Sequence, residues 1–301
     1  MGAQLRAVRR RIRSVQSTAK ITRAQELIAA SRIIRAQQRL HAAGPYAREL
    51  TRAVEAVVSM SENVDHPLTR PEQDPRRAAV LILTSDRGFA GGFNANLLRE
   101  AQRLRGLLTE RGLETVSFVS GRKGITWHRF RQVAMAAEWS GFSDTPRQAN
   151  AAELTQTLLD AYALPADQGG VDEINVVYTE FVSMLTQRPV VRRLLPLEIA
   201  ESADLPPAGP LPSYEFEPSP EDVLDALLPW YVESRLFHAL LESAASEIAS
   251  RRRAMKSATD NANELVEQLS REANKARQAE ITQEISEIVG GANALAGATR
   301  E

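Results

Sequence analysis

The chain has 301 residues, a formal net charge of -1, 43% hydrophobic, 25% charged and only 5% aromatic residues, and no cysteine. This length accommodates one or two ordinary cores, the absence of thiols excludes disulfides, thiolate nucleophiles and thiol-rich metal sites, and no run reaches the about 18 to 20 apolar residues needed to cross a bilayer. The small net charge hides an asymmetry, because residues 1–40 carry ten Arg or Lys against a single acid, Glu26, which suits the amino-terminal arm to an acidic partner.

Residues 1–62 read as a coiled-coil helix. Leu5, Val8, Ile12, Val15, Ala19 and Thr22 advance in alternating steps of three and four, which lays one narrow seam along a helix. Ile28, Ile33, Ile34 and Leu40 extend the seam less regularly. Gly44-Pro45 predicts a kink or short break, since proline lacks the amide hydrogen and crowds the preceding turn. Asn63 to Pro75, with three prolines among polar residues, predicts a linker.

The period then changes. Residues 76–200 alternate strand and helix: strands at Ala78–Thr84, Thr115–Ser120, Glu173–Glu180 and Val190–Leu197, with helices at Asn94–Arg111, Lys123–Phe130 and Thr145–Tyr162. Apolar strands separated by amphipathic helices predict an α/β domain, an open and largely parallel Rossmann-like sheet covered by helices. Leu164 to Gly170 predicts a flexible loop, and residues 201–220, rich in proline, a second linker. Residues 221–301 read as a second long helix whose inner face holds Leu236, Leu240, Ala244, Ile248, Met255, Ala258, Ala262, Leu265, Leu269, Ala273, Ala276, Ile281, Ile285 and Ile288. From Glu233 to Ile288 it would run about 84 Å at 1.5 Å per residue. A rod of that length reads as coiled coil. The helix at the opposite end of the chain is its simplest partner, in an antiparallel pair.

The glycine turn Thr84 to Asn94 follows a strand and opens a helix, where phosphate loops sit, yet it matches neither common phosphate-binding spacing. It therefore reads as a tight turn with Asn94 capping the helix. Ser120-Gly121-Arg122-Lys123-Gly124 repeats the arrangement after the second strand and reads as a solvated loop. Asp86 stands at a sheet end with no evident catalytic partner, which favours a turn or cap role. His41, His66, His128 and His238 are scattered, so neither a metal nor a cofactor is expected and the inventory for hydrolytic or acid–base chemistry is thin. The basic arm is compatible with nucleic acid, but its apolar seam and lack of aromatic stacking residues argue against that partner. Thr259, Asp260 and Asn261 lower helix propensity in mid-helix, which predicts polar contacts to something outside the helix pair.

Three stretches resemble a known family, the gamma subunit of F-type ATP synthase: the start from Ile12 (IRSVQSTAKITRAQELIAASRIIRAQ), the glycine turn Ser85 to Asn94 (SDRGFAGGFN), and the end from Glu247 to Leu295, with MKSATDNA and NKARQAEITQEISEIVGGANAL. The resemblance implies a non-catalytic central-stalk rotor. Its paired terminal helices would stand inside a ring of alpha and beta subunits, and its α/β foot would be held with epsilon against the c-subunit ring of the membrane. Proton-driven rotation of that ring would then drive ATP synthesis. It further implies a peripheral location on the cytoplasmic side of the cell membrane, touching the membrane through partners alone. Contact roles carry over onto Arg9, Arg10, Lys20, Gln25, Arg252, Gln268, Thr282 and Gln283, and the apolar end Ile285 to Leu295 would sit in a sleeve. Gln25 departs from the family, where methionine is common, and Ala90 replaces a common cysteine. The Leu164 to Gly170 loop resembles an extension of actinobacterial members.

Overall fold

In the computed structural model, which describes residues 2–60, 68, 72, 74–197, 217 and 219–298, the seam of the first helix is realised. Helix α1 spans Gly2–Met60 and helix α5 spans Pro220–Ala298. The chain forms two compact units, one of Met1–Ile28 with Arg252–Glu301, the other of Ala29–Arg251. The Asn63 to Pro75 and 201–220 linkers lie largely outside the described residues.

In the first unit Leu5, Val8, Ala19 and Thr22 of α1 are buried, as are Met255, Thr259, Ala262 and Leu269 of α5. The hydroxyls of Thr22 and Thr259 lie 2.7 Å apart, and Thr259 also donates to the carbonyl of Met255 at 2.9 Å. Thr259 is thus explained inside the helix pair and not by an outside partner, which corrects the expectation for that residue alone. Asp260 pairs with Lys256 at 3.6 Å, and Asn261 is exposed. Counting back from the Thr22–Thr259 pair, Gly2 at the start of α1 falls level with Ala279. Beyond that point no partner helix covers α5 among the described residues, so Ile281, Ile285 and Ile288, expected on the inner face, are instead exposed at 45%, 55% and 71%.

The second unit continues both helices and adds the sheet. Here α1 buries Ala29, Ile33 and Ala36 against Ala245, Ile248 and Ala249 of α5, and further along Val54 and Val57 against Leu224 and Leu228. As the α1 numbers climb the α5 numbers fall, so the helices are antiparallel. Alanine predominates at the first contact because small side chains allow close approach of two backbones, while burying Ile33 contributes about 1.5–3 kcal/mol. The observed seam runs Thr22, Glu26, Ala29, Ile33, Ala36, keeping its steps of three and four; Ile28 and Ile34 are 47% and 58% exposed, contrary to expectation. Periodicity, not hydrophobicity of single residues, sets the inner face. Nor does Gly44-Pro45 break the helix. A proline removes one intrahelical hydrogen bond, and the packing of Leu50, Val54 and Val57 beyond it holds the helical course.

The sheet has the order β3-β2-β1-β4-β5, from strands β1 Arg77–Leu83, β2 Glu114–Ser120, β3 Ala137–Trp139, β4 Glu173–Phe181 and β5 Gln187–Leu195. All neighbours are parallel except β4 and β5, which pair antiparallel. Helix α2 (Phe93–Glu110) covers one face through Leu97, Leu98, Leu104 and Leu108. On the other face α4 (Gln148–Ala163) and α5 pack with Ala151, Leu154, Leu158, Val232, Leu236 and Leu240. Helix α3 spans Arg122–Phe130. Strand β3 was not expected from sequence, being three residues long, too short for any alternation to register. The Leu164 to Gly170 loop, expected to be flexible, is a hydrogen-bonded turn: Gln168 and Gly170 both donate their amides to the carbonyl of Pro165, at 2.9 and 3.0 Å. Gly170 approaches the carbonyl of Leu164 so closely that a Cβ there would lie 1.7 Å from its oxygen.

Candidate functional site

In an open α/β sheet a ligand is expected outside the carboxyl ends of the strands where the strand order reverses. Here that position lies beside β1 and β4, since the chain runs outward from β1 through β2 and β3 and then returns to β4. Helix α5 occupies it. Ser243 donates to the carbonyl of Leu83 at 3.3 Å, Ser250 donates to the side-chain oxygen of Gln187 at 3.1 Å, and Arg251 donates to the carbonyls of Arg87 and Gly88 at 3.3 Å. The side chain of Arg251 is 12% exposed and pairs with Glu247, 1% exposed, at 2.7 Å. Burial pushes the Glu247 carboxyl up from its ordinary range, opposed by the charge and hydrogen bond of Arg251 and by a hydrogen bond from Ser143. The crevice that would hold a nucleotide is filled by a buried ion pair.

The two glycine loops are closed against each other in the same way. The amides opening α3, which would be free to meet a phosphate, are all engaged: Arg122 N–H with a carboxylate oxygen of Asp86 at 3.1 Å, Lys123 N–H with the carbonyl of Ser85 at 3.0 Å, and Gly124 N–H with the hydroxyl oxygen of Thr84 at 2.9 Å. Asp86 also accepts from the amides of Gly141 and Ser143 at 2.7 and 3.1 Å. Asp86 is therefore itself the anion at this helix start and ties three segments together, which is the turn role expected for it. Gly121, with φ of 99°, allows the loops to touch, since a Cβ there would lie 2.1 Å from the carbonyl oxygen of Thr84. Asn94 does not cap α2, whose cap position is Gly92. Its side chain instead accepts from the amide of Ser85 at 3.0 Å and donates to the Ser85 hydroxyl at 2.8 Å, while that hydroxyl donates to the carbonyl of Arg87 at 2.8 Å, which ties the turn after β1 to the start of α2. In the loop from Ser120 to Gly124 the basic pair Arg122 and Lys123 is exposed, as expected of a solvated loop, while Ser120, Gly121 and Gly124 are buried.

Among the described residues no cluster of three or more His, Asp or Glu is placed to hold a metal ion, and no helix is long and apolar enough to cross a membrane. The outward surface is more informative. In the first unit the helix pair buries its seam and presents Arg6, Arg9, Arg10, Arg11, Arg13, Lys20 and Gln25 to solvent, with Arg252 and Gln268 exposed on α5. Gln268 reaches Glu264 at 3.5 Å, Gln283 donates to Glu287 at 2.9 Å, and the hydroxyl of Thr282 donates to the carbonyl of Gln278 at 2.9 Å. These residues lie on one unit and form a displayed surface. Sequence reasoning missed Glu247 and Arg251 as partners, although their i, i+4 spacing on one helix face was legible. It also missed the buried Glu26, which accepts from Arg23 at 2.8 Å.

A family model described as ATP synthase matches residues 4–295. The ATP synthase gamma chain of Acidothermus cellulolyticus is 61% identical over 98% of this chain and 98% of its own length, and that of Frankia casuarinae 59% identical over 99% and 100%. Among solved structures, a chain of the Euglena gracilis mitochondrial ATP synthase, in an assembly described as OSCP, F1 and c-ring, has the same fold with a TM-score of 0.68 at 15% identity, covering 100% of this chain and 97% of that one. A helix pair with a displayed polar surface, a sheet crevice plugged by its own helix, and matches of this extent together establish that the chain belongs to the ATP synthase gamma chain family.

Proposed function

We propose that the chain works as the central-stalk rotor of the proton-driven synthase, with its terminal helices as the shaft and its sheet as the foot. In this reading residues 1–62 and 221–301 are the two arms, 76–200 the foot and 201–220 the connection. It is a subunit without a catalytic centre of its own: it turns with the c-subunit ring and presents different faces in turn to the alpha and beta subunits, where ATP is made. Its other partner at the foot is epsilon, and it sits at the cytoplasmic side of the cell membrane, held there by its partners.

The observation that carries this reading is the end of α5. Ile281, Ile285, Ile288 and Val289 are 45%, 55%, 71% and 53% exposed, past the point where α1 begins. An apolar helix face left uncovered marks an interaction surface, and an apolar sleeve would bear on a turning helix without ion pairs to break at each step. Below it, the exposed cations of α1 match acidic surroundings and favour association through long-range attraction. Arg9, Arg10, Lys20, Gln25, Arg252, Gln268, Thr282 and Gln283 are proposed as contacts on the basis of this exposure.

Affinity purification of the tagged chain from its native membrane tests the reading. The expected result is copurification of ATP-hydrolysing subunits, with hydrolysis uncoupled from proton movement when Arg9, Arg10 and Lys20 are replaced together by alanine. Recovery of the chain alone, without ATPase activity, would refute it.

A further inference from the structure

The second unit contains a cavity of about 270 Å³ that the stalk role does not use. Its apolar lining is Ala36 of α1 with Leu241, Ala244 and Ile248 of α5. Four guanidinium groups line it, those of Arg32, Arg35 and Arg39 on one face of α1 and that of Arg87 from the loop after β1, against a single carboxylate, Asp144. Asp144 is shared between Arg32 at 2.8 Å and Arg87 at 3.7 Å. Arg35 and Arg39 have no hydrogen-bond or ion-pair partner among the described residues. Like charges at i, i+4 on a helix repel and destabilise it, so this pair is held at a cost that an anion would remove.

We propose that this cavity binds a small phosphate-bearing anion of the diphosphate class. Three positive charges remain once Asp144 is neutralised, and they border one concave volume, where low-dielectric walls focus the field. A single carboxylate supplies one negative charge. An acidic peptide supplies charges strung along its length, whereas these guanidinium groups border a common space. A diphosphate carries several charges within a few ångströms, and its oxygens match the forked donors of arginine, which pair with phosphate two bonds at a time. The apolar lining leaves room for the organic part of a nucleotide beside the phosphates. The proposal is independent of the stalk reading, since it concerns the isolated full-length chain.

Calorimetric titration of the full-length chain with inorganic pyrophosphate, and separately with ADP, tests it. Saturable binding of either is expected, with Arg35→Gln/Arg39→Gln weakening it by about tenfold or more, the loss of two charge-assisted contacts. The comparison is Arg48→Gln/Arg52→Gln, which removes the same charge at the same spacing from exposed positions further along α1 and should bind as the native chain does. Equal affinity for pyrophosphate and ADP identifies the phosphates as the recognised part, and tighter binding of ADP adds the apolar lining. Tryptophan-monitored denaturation controls for folding of each variant. No saturation at millimolar ligand, equal loss in both variants, or arginine-dependent binding of an acidic peptide without binding of pyrophosphate would each overturn the proposal.

Discussion

Replacing Arg251 with methionine isolates the ion pair that plugs the sheet crevice. The substitution retains the length and apolar stem of the side chain but removes the guanidinium, leaving Glu247, 1% exposed, with the hydrogen bond from Ser143 and no countercharge. Truncating one member of a buried pair destabilises by about 3–5 kcal/mol, because the remaining charge keeps its desolvation cost. The three contacts of Arg251 to the carbonyls of Arg87 and Gly88 are lost as well, so the upper part of that range is expected. Trp127, Trp139 and Trp230 all belong to the unit that contains the pair, so urea denaturation followed by tryptophan fluorescence reads its stability. A second change, Glu247→Gln, removes the stranded charge, and the double variant should recover most of the loss. The pH dependence has a definite sign. Glu247 is already raised in the folded state by burial, and Arg251 is the first of the influences that lower it. A group with a raised folded pKa costs stability as pH climbs from the unfolded value through the folded one. The penalty of Arg251→Met is therefore smallest below the ordinary carboxylate range and largest above the folded value. A double variant as unstable as the sum of the two single ones, or a penalty that does not change with pH, would show that the pair is not the element holding α5 in the crevice.

Four further outcomes are expected at other sites. Thr22→Val leaves the Thr259 hydroxyl buried with only its bond to Met255 and should cost about 1 kcal/mol, while Thr22→Val/Thr259→Val should be nearly neutral, as read by thermal melting of helical circular dichroism. Gly121→Ala forces a Cβ to 2.1 Å from the carbonyl oxygen of Thr84 and should cost more than about 3 kcal/mol by tryptophan-monitored denaturation. Gly112→Ala, at φ of 84° with nothing within 4 Å, meets the conformational penalty alone and should cost about 1 kcal/mol. Glu242, raised chiefly by burial and opposed by a hydrogen bond from Tyr178, costs stability above the ordinary carboxylate range, so Glu242→Gln should stabilise at pH 8 relative to the native chain, with the gain vanishing on acidification below that range.

Apart from the three-residue β3, the order of strands and helices, the seam of α1 from Leu5 to Thr22 and the partnership of the two terminal helices are legible in the residues. Each rests on a repeat in the chain, the period of two or of three and a half that places apolar groups on one face, and a repeat survives without knowledge of neighbours. What the period could not reveal was where a face ceases to have a partner. Ile281, Ile285 and Ile288 keep the pattern of an inner face yet are exposed, because α1 ends the pairing near Ala279. The apolar side chains of Ile28 and Ile34 suit an inner face, while the geometry of the pair gives those places to Glu26 and Ala29.

The glycine turns show the same division. Sequence distinguished them from the common phosphate-binding spacings, but only the folded chain decides what becomes of their amides, since the groups that engage them come from distant segments. Asp86 meets Arg122, Gly141 and Ser143, and Arg251 reaches back across the chain to Gly88. Local pattern determines which element forms, because backbone preference and amphipathic period act over a few residues. Whether a crevice stays open or is filled depends on side chains brought together from far along the sequence, and that is set by packing.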